Sequence, residues 1–141
     1  MTDEVRELVA AGDLRDVARL LGRPFEVTGV VVEGDRRGKL LGFPTANLDV
    51  THDRLLPPRG IYVGEALGHR AAISIGVNPH YGGTTLHVEA HLLDFDGDLY
   101  GQELVVELWE RLRDERAFGS EAELVEAIAA DVEAARAAVR P

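Results

Sequence analysis

Residues 60–76 read GIYVGEALGHRAAISIG. Two short apolar runs, 60–67 (GIYVGEAL) and 70–76 (RAAISIG), are rich in β-branched side chains and punctuated by glycine. Such side chains pack well on a pleated surface, so both runs predict strands. The same signature recurs outward on either side. Residues 25–33 (FEVTGVVVE) lie upstream, and 86–94 (LHVEAHLLD) and 104–109 (LVVELW) lie downstream. Gly, Pro and Asp separate the runs, and Asp96-Gly97 between the last two predicts a hairpin turn. No long helix lies between these strands, so the sheet is expected to be mostly antiparallel and closed as a barrel.

Helices are expected at both ends. Thr2 is placed to cap a short helix with Val5, Leu8 and Val9 on its apolar face, ended by Gly12. Asp13 is placed to cap a second helix carrying Val17, Leu20 and Leu21, closed by Gly22 and followed by Pro24. At the other end Ser120 and Glu123 form a capping box. Leu124, Ile128, Val132, Ala135 and Val139 then make one apolar stripe at three- and four-residue steps. The expected organisation is a short helical segment over residues 1–24 and a barrel domain with its C-terminal helix over 25–141.

Composition narrows the function classes. The 141 residues are 45% hydrophobic and 28% charged, the balance of a soluble domain that buries its own core. There is no cysteine, which excludes a disulfide framework, a zinc finger and a thiol nucleophile. A net charge of −10 repels nucleic acid and anionic membrane. No apolar run approaches the ~18 residues that span a bilayer. The opening MTDEVRELVAAGDL lacks the cationic start and apolar core of a signal peptide. The expectation is a cytoplasmic protein that engages neither nucleic acid nor membrane.

Several constellations carry possible chemistry. Arg36, Arg37 and Lys39 fall within four residues, among Gly34, Gly38 and Gly42, in an otherwise acidic chain. Glycines let backbone N–H groups approach a ligand and the cations favour phosphate. The stretch is not a P-loop, because Glu33 stands at the first glycine position and Leu40 at the hydroxyl position. It is either another kind of phosphate loop or a solvated hairpin tip. Pro44 biases the chain to be extended, and Thr45 and Asn47 then offer two hard oxygens suited to Mg²⁺, or else a plain turn.

His87, Glu89 and His91 alternate, so on a strand they share one face. They fit a metal triad, a single functional carboxylate with histidine neighbours, or a polar strand side opposite Val88, Ala90 and Leu92. Asp94, Asp96 and Asp98 lack the Gly and Glu of a calcium loop and read as an acidic turn. Ser74 lacks a glycine two residues before it and reads as a buried strand serine, not a nucleophile. Arg111, Arg113 and Arg116 with Trp109 and Phe118 form either a basic, aromatic edge or ordinary surface arginines before the last helix.

The segment RRGKLLGFPTANL closely resembles the signature of riboflavin kinases. LPPRGIYVGEA, AAISIGVNPHYGG, HVEAHLLDFDGDLYGQELVVE and LRDERAFGSEAELVEAIAADVEAAR follow in the family's order, so the resemblance covers about residues 25–138. VRELVAAGDLRDVARLLGRPFEVTG resembles the segment joining the two modules of bacterial bifunctional riboflavin kinase/FMN adenylyltransferases. The adenylyltransferase module is not in this sequence. The expectation is a natural single-module kinase or an excised module, with an adenylyltransferase module or partner elsewhere.

The resemblance implies a six-stranded antiparallel Greek-key barrel, mainly β, with a C-terminal helix packed across it. It implies transfer of the γ-phosphoryl group of ATP, supplied as Mg-ATP, to riboflavin, giving FMN. Thr45 and Asn47 become ligands of Mg²⁺ and phosphate, and Glu89 becomes the base for the ribityl hydroxyl. Gly34, Arg36, Gly38, Lys39 and Gly42, with Pro44 and Thr45, become the ATP-binding flap, with Lys39 near phosphate. Arg113 and Phe118 fall on a second flap beside the flavin. Arg36 stands where many relatives carry a small residue, and Asn78-Pro79-His80-Tyr81 replaces the Asn-Pro-Thr run common in bacterial members. The metal-triad reading loses ground, and His80, His87 and His91 keep no assigned role. The alternative is a non-catalytic flavin- or nucleotide-binding module, but such a binder has no need of Thr45, Asn47 and Glu89 together.

Overall fold

A computed structural model describes residues 2–32, 45–50, 55–77 and 86–141. Along the chain run α1 (Asp3–Ala11), α2 (Leu14–Leu21), β1 (Phe25–Val32), β2 (Ala46–Asp49), β3 (Gly60–Ala66), β4 (His69–Val77), β5 (Leu86–Leu92), β6 (Glu103–Arg113) and α3 (Glu121–Ala137). The six strands close into a barrel in the order β1-β2-β5-β4-β3-β6, with every pairing antiparallel. β3, β4 and β5 are neighbours in chain order and β6 returns to lie beside β3, which is the Greek-key arrangement.

Strand alternation sorts the two faces. On β5 Val88, Ala90 and Leu92 are buried inward, while His87, Glu89 and His91 are only half-buried and face out. Val27, Val31, Leu48, Tyr62, Ile73, Ile75, Leu104, Val106 and Leu108 fill the same interior.

Five of the six strands coincide with the apolar runs. β2 is different: Ala46-Asn47-Leu48-Asp49 carries a single fully buried apolar side chain, Leu48. Pairing on both edges, to β1 and β5, makes it a strand, and no local pattern announces that. The turn expectation is also corrected. The two-residue hairpin is Leu67-Gly68, between the partners Ala66 and His69, with φ of 52° and 79°. Asp96-Gly97 lies instead on the crossing from β5 to β6, which are not neighbours. A turn residue fixes local dihedrals but not which strands pair.

Val5, Val9, Leu14 and Val17 of the first two helices belong to the same core cluster as the barrel interior. Thr2 accepts a hydrogen bond from the Val5 amide as expected, and Gly12 and Gly22 end the helices in the left-handed conformation. Asp13 precedes α2 but its side chain makes no capping bond; its backbone carbonyl accepts from Val17 N–H at 3.1 Å. Leu14 and Ala18 turn inward with Val17, whereas Leu20 is 45% exposed, because residues 14, 17, 18 and 21 share one helix face.

α3 packs over the outside of β3 and β4, where Val63, Leu93 and Ala135 form a second apolar cluster flanked by Leu112 and Val132. Ser120 accepts from the Glu123 amide, while Glu123 reaches back to the Gly119 amide. The helix stops at Ala137, so Val139 falls outside the stripe and is 72% exposed.

Candidate functional site

Strand register brings three of the singled-out residues into one row. Asn47 on β2 is the direct partner of Glu89 on β5, and Glu89 is the direct partner of Ser74 on β4. Directly opposite residues of antiparallel strands project to one face, with Cβ atoms about 4.5–5.5 Å apart. Glu89 faces out, so the row Asn47–Glu89–Ser74 lies on the barrel exterior. Thr45 stands two residues before Asn47, at the entry to β2. Ser74 is therefore half-buried and beside the carboxylate rather than in the core, which corrects the sequence reading.

Gly34, Arg36, Gly38, Lys39, Gly42 and Pro44, like His80, lie outside the described residues. Val32 pairs with Asn47, so both described ends flanking that stretch sit beside the row. His87, Glu89 and His91 occupy successive outward positions, which a strand separates by about 6.6 Å. Among the described residues no three His, Cys, Asp or Glu side chains are close enough to hold one metal. The triad reading therefore finds no support.

Two residues along β4 from Ser74, on the same face, stands Gly76, opposite His87. A Cβ there would overlap Oε1 of Glu115, so glycine at this position lets a carboxylate lie against the strand. Arg59 clasps that carboxylate, with Nη2 at 2.8 Å and Nε at 3.1 Å from Oε2. The segment after β6 is thus drawn onto the outer face of β4.

Arg113, the last residue of β6, faces Ile61 of β3 in register. Its Nε and Nη2 donate to the two oxygens of Asp131 on α3 at 3.0 and 2.8 Å, and its Nη1 donates to the Asp114 carbonyl at 3.1 Å. Asp131 is 7% exposed, a buried charge held by a bidentate partner. The Phe118 ring lies 6.0 Å from the Arg113 guanidinium carbon and 5.3 Å from that of Arg116.

Arg111 ties this corner down. Its Nη2 donates to the Arg59 carbonyl and to Asp114, both at 2.6 Å, and the Asp114 hydrogen bond raises the arginine pKa. Beneath it the Tyr62 hydroxyl donates to the Pro58 carbonyl, and burial pushes the phenol pKa up. Trp109 is not part of any aromatic edge: it is fully buried, lies under Arg70 at 4.7 Å, and donates from Nε1 to Glu107.

Sequence reasoning missed Ser74, Gly76, Glu115 and Asp131 as members of this region. The first three are joined by register and close approach, which leave no local mark. Asp131 had a signal: it sits midway between Ala127 and Ala135 on a buried helix face, where a charge calls for a partner.

A family model described as riboflavin kinase (Flavokinase) matches residues 21–139. A bifunctional riboflavin kinase/FMN adenylyltransferase from Pseudomonas fluorescens is 41% identical over 143 residues, covering 98% of this chain and 46% of that protein. This chain therefore spans about half the length of the curated relatives it matches. The crystal structure of riboflavin kinase from Trypanosoma brucei superposes with a TM-score of 0.63 at 28% identity, over 81% of this chain and 78% of that one. A Streptococcus pneumoniae crystal structure described as a macrolide-efflux protein gives a TM-score of 0.90 at 32% identity, over 99% of this chain and 47% of that one. Among the described residues here, no helix is long and apolar enough to cross a membrane.

Proposed function

This chain belongs to the riboflavin kinase family, and we propose that it transfers the γ-phosphoryl group of ATP to the 5′-hydroxyl of riboflavin, giving FMN and ADP. The observation that carries the proposal is the register pairing of Asn47 with Glu89. It supports a reading in which Asn47 offers an oxygen to Mg-ATP beside a carboxylate that takes the proton of the accepting hydroxyl. Phosphoryl transfer needs placement and charge neutralisation more than covalent chemistry, and a cross-strand pair supplies placement.

The donor set fits Mg²⁺ with ATP. Thr45 and Asn47 are hard, neutral oxygen donors, and both are half-buried and so open on one side. Mg²⁺ arriving with the nucleotide neutralises charge on the transferred group. Thr45 and Asn47 hold and orient that substrate. Gly34, Arg36, Gly38, Lys39, Gly42 and Pro44 grip the phosphates. Glu89 orients the ribityl hydroxyl and accepts its proton. Arg113 and Phe118 form the flavin side.

Residues 25–141 are the kinase domain, and residues 1–24 are a helical segment of the kind that joins it to a second module. An adenylyltransferase module or partner would carry FMN onward. The substrates and the net charge of −10 fit a cytoplasmic enzyme that engages neither nucleic acid nor membrane. The test is to incubate the chain with riboflavin, ATP and Mg²⁺ and to separate the flavins by chromatography. FMN and ADP in equal amounts are expected, and enzyme-independent traces alone would overturn the proposal.

A further inference from the structure

Resting on the kinase reading above, we propose that Asp131 is a positioning residue: through Arg113 it holds Phe118 as an apolar wall for the flavin ring. The guanidinium of Arg113 is engaged on both its edges, by the Asp131 carboxylate and by the Asp114 carbonyl. Those donors are spent on the protein. Three of its five N–H groups are held in this way, and its guanidinium carbon stands 6.0 Å from the centroid of the Phe118 ring, which Arg116 approaches to 5.3 Å.

The support behind this wall is continuous. α3 is seated on the barrel through Val63, Leu93 and Ala135. Asp131 is buried one turn before Ala135 on the same helix face. A bidentate carboxylate–guanidinium pair fixes orientation as well as distance. The segment 114–120 has no helix or strand of its own, and the Asp131-bound guanidinium of Arg113 holds its first residue through the Asp114 carbonyl. Phe118 is half-buried, so one side of its ring remains for a planar aromatic partner.

Asp131→Asn keeps the shape but places an amide N–H₂ against the guanidinium, so the bidentate pair is lost. The experiment measures steady-state KM for riboflavin and for ATP, with kcat, in the wild type, Asp131→Asn, Asp131→Glu, Phe118→Ala and the Asp131→Asn/Phe118→Ala double variant. A weakened aromatic contact predicts a rise in riboflavin KM of roughly three- to tenfold for Asp131→Asn and for Phe118→Ala. ATP KM and kcat should stay near wild type, and Asp131→Glu should recover part of the loss. The double variant should be no worse than Phe118→Ala alone, because both changes remove one wall.

An unchanged riboflavin KM in folded Asp131→Asn, an equal rise in ATP KM, or additive losses in the double variant would each overturn the proposal. Should Asp131→Asn fail to fold, Arg113→Lys keeps the charge but not the fork, and the same criteria apply to it. A wild type that makes no FMN would sink the kinase reading itself. A wild type that makes FMN beside an indifferent Asp131→Asn would sink only this inference.

Discussion

The row Asn47–Glu89–Ser74 and the corner around Arg113 are built by different means. The row is set by backbone ladders: each of its residues sits opposite its neighbour in a hydrogen-bonded strand pair, so none can drift without breaking pairing on both sides. The corner is set by side chains, namely Arg113 on Asp131, Arg59 on Glu115 and Arg111 on Asp114. Chemistry that depends on fixed distances falls on the ladder. In the proposed reading, grip on the bulky ring falls on a segment that side-chain contacts hold. Changes in the row should therefore strike turnover and the hold on Mg-ATP, and changes in the corner should strike riboflavin affinity.

The largest effect is expected at Glu89. Glu89→Gln keeps shape and removes the proton acceptor, so kcat should drop on the order of 10²–10⁴-fold with riboflavin binding retained. Unaltered turnover would take Glu89 out of the base role. Next come Thr45→Ala and Asn47→Ala, each deleting an oxygen that we propose holds Mg-ATP. Loss of a charge-assisted contact predicts roughly 10- to 100-fold weaker Mg-ATP binding by calorimetry. A greater loss for riboflavin than for Mg-ATP would reverse the assignment of the two regions. A smaller effect is expected at their boundary. Gly76→Ala forces the Glu115 carboxylate off β4 and opens its clasp with Arg59 while leaving the ladder intact. Riboflavin KM should rise more than kcat falls; the opposite pattern would mean that the row and the corner are not separable.

The smallest effect concerns stability. Burial pushes the Glu107 carboxyl up, but hydrogen bonds from Arg140 and Trp109 outweigh it and leave its pKa below the ordinary range. A carboxyl held low in the folded state binds its proton more readily when unfolded. Its contribution is thus complete above the unfolded pKa and fades as the pH falls through the folded one. Glu107→Gln should lower the melting temperature near neutral pH and flatten its decline in acid. An identical acid decline in the variant would show that other carboxylates carry it.

How much of this was legible in the sequence follows the same division between local and distant. The inward and outward faces of β5 were readable because alternation is local to seven residues, and the caps at Thr2 and Ser120 because a cap reaches only three. β2 was not readable as a strand, since only Leu48 of its four residues is deeply buried and its pairing partners lie far off in sequence. The hairpin at Leu67-Gly68 carries a leucine with positive φ, which β4 pairing enforces and propensity disfavours. The candidate site divides likewise. Asn47 and Glu89 could be named one by one, but that they face each other, with Ser74 alongside, is a fact of register. That Arg113 is claimed by Asp131 required α3 to be seated on the barrel.

The most direct test of the account follows the transferred group itself. ATP labelled in its γ-phosphoryl group is incubated with riboflavin and Mg²⁺, with the wild type beside Glu89→Gln, and the products are separated over time. Label is expected in FMN, one equivalent for each ADP formed, with the variant reaching only a small fraction of that yield. Label released as inorganic phosphate, or FMN formed equally fast by both proteins, would contradict it.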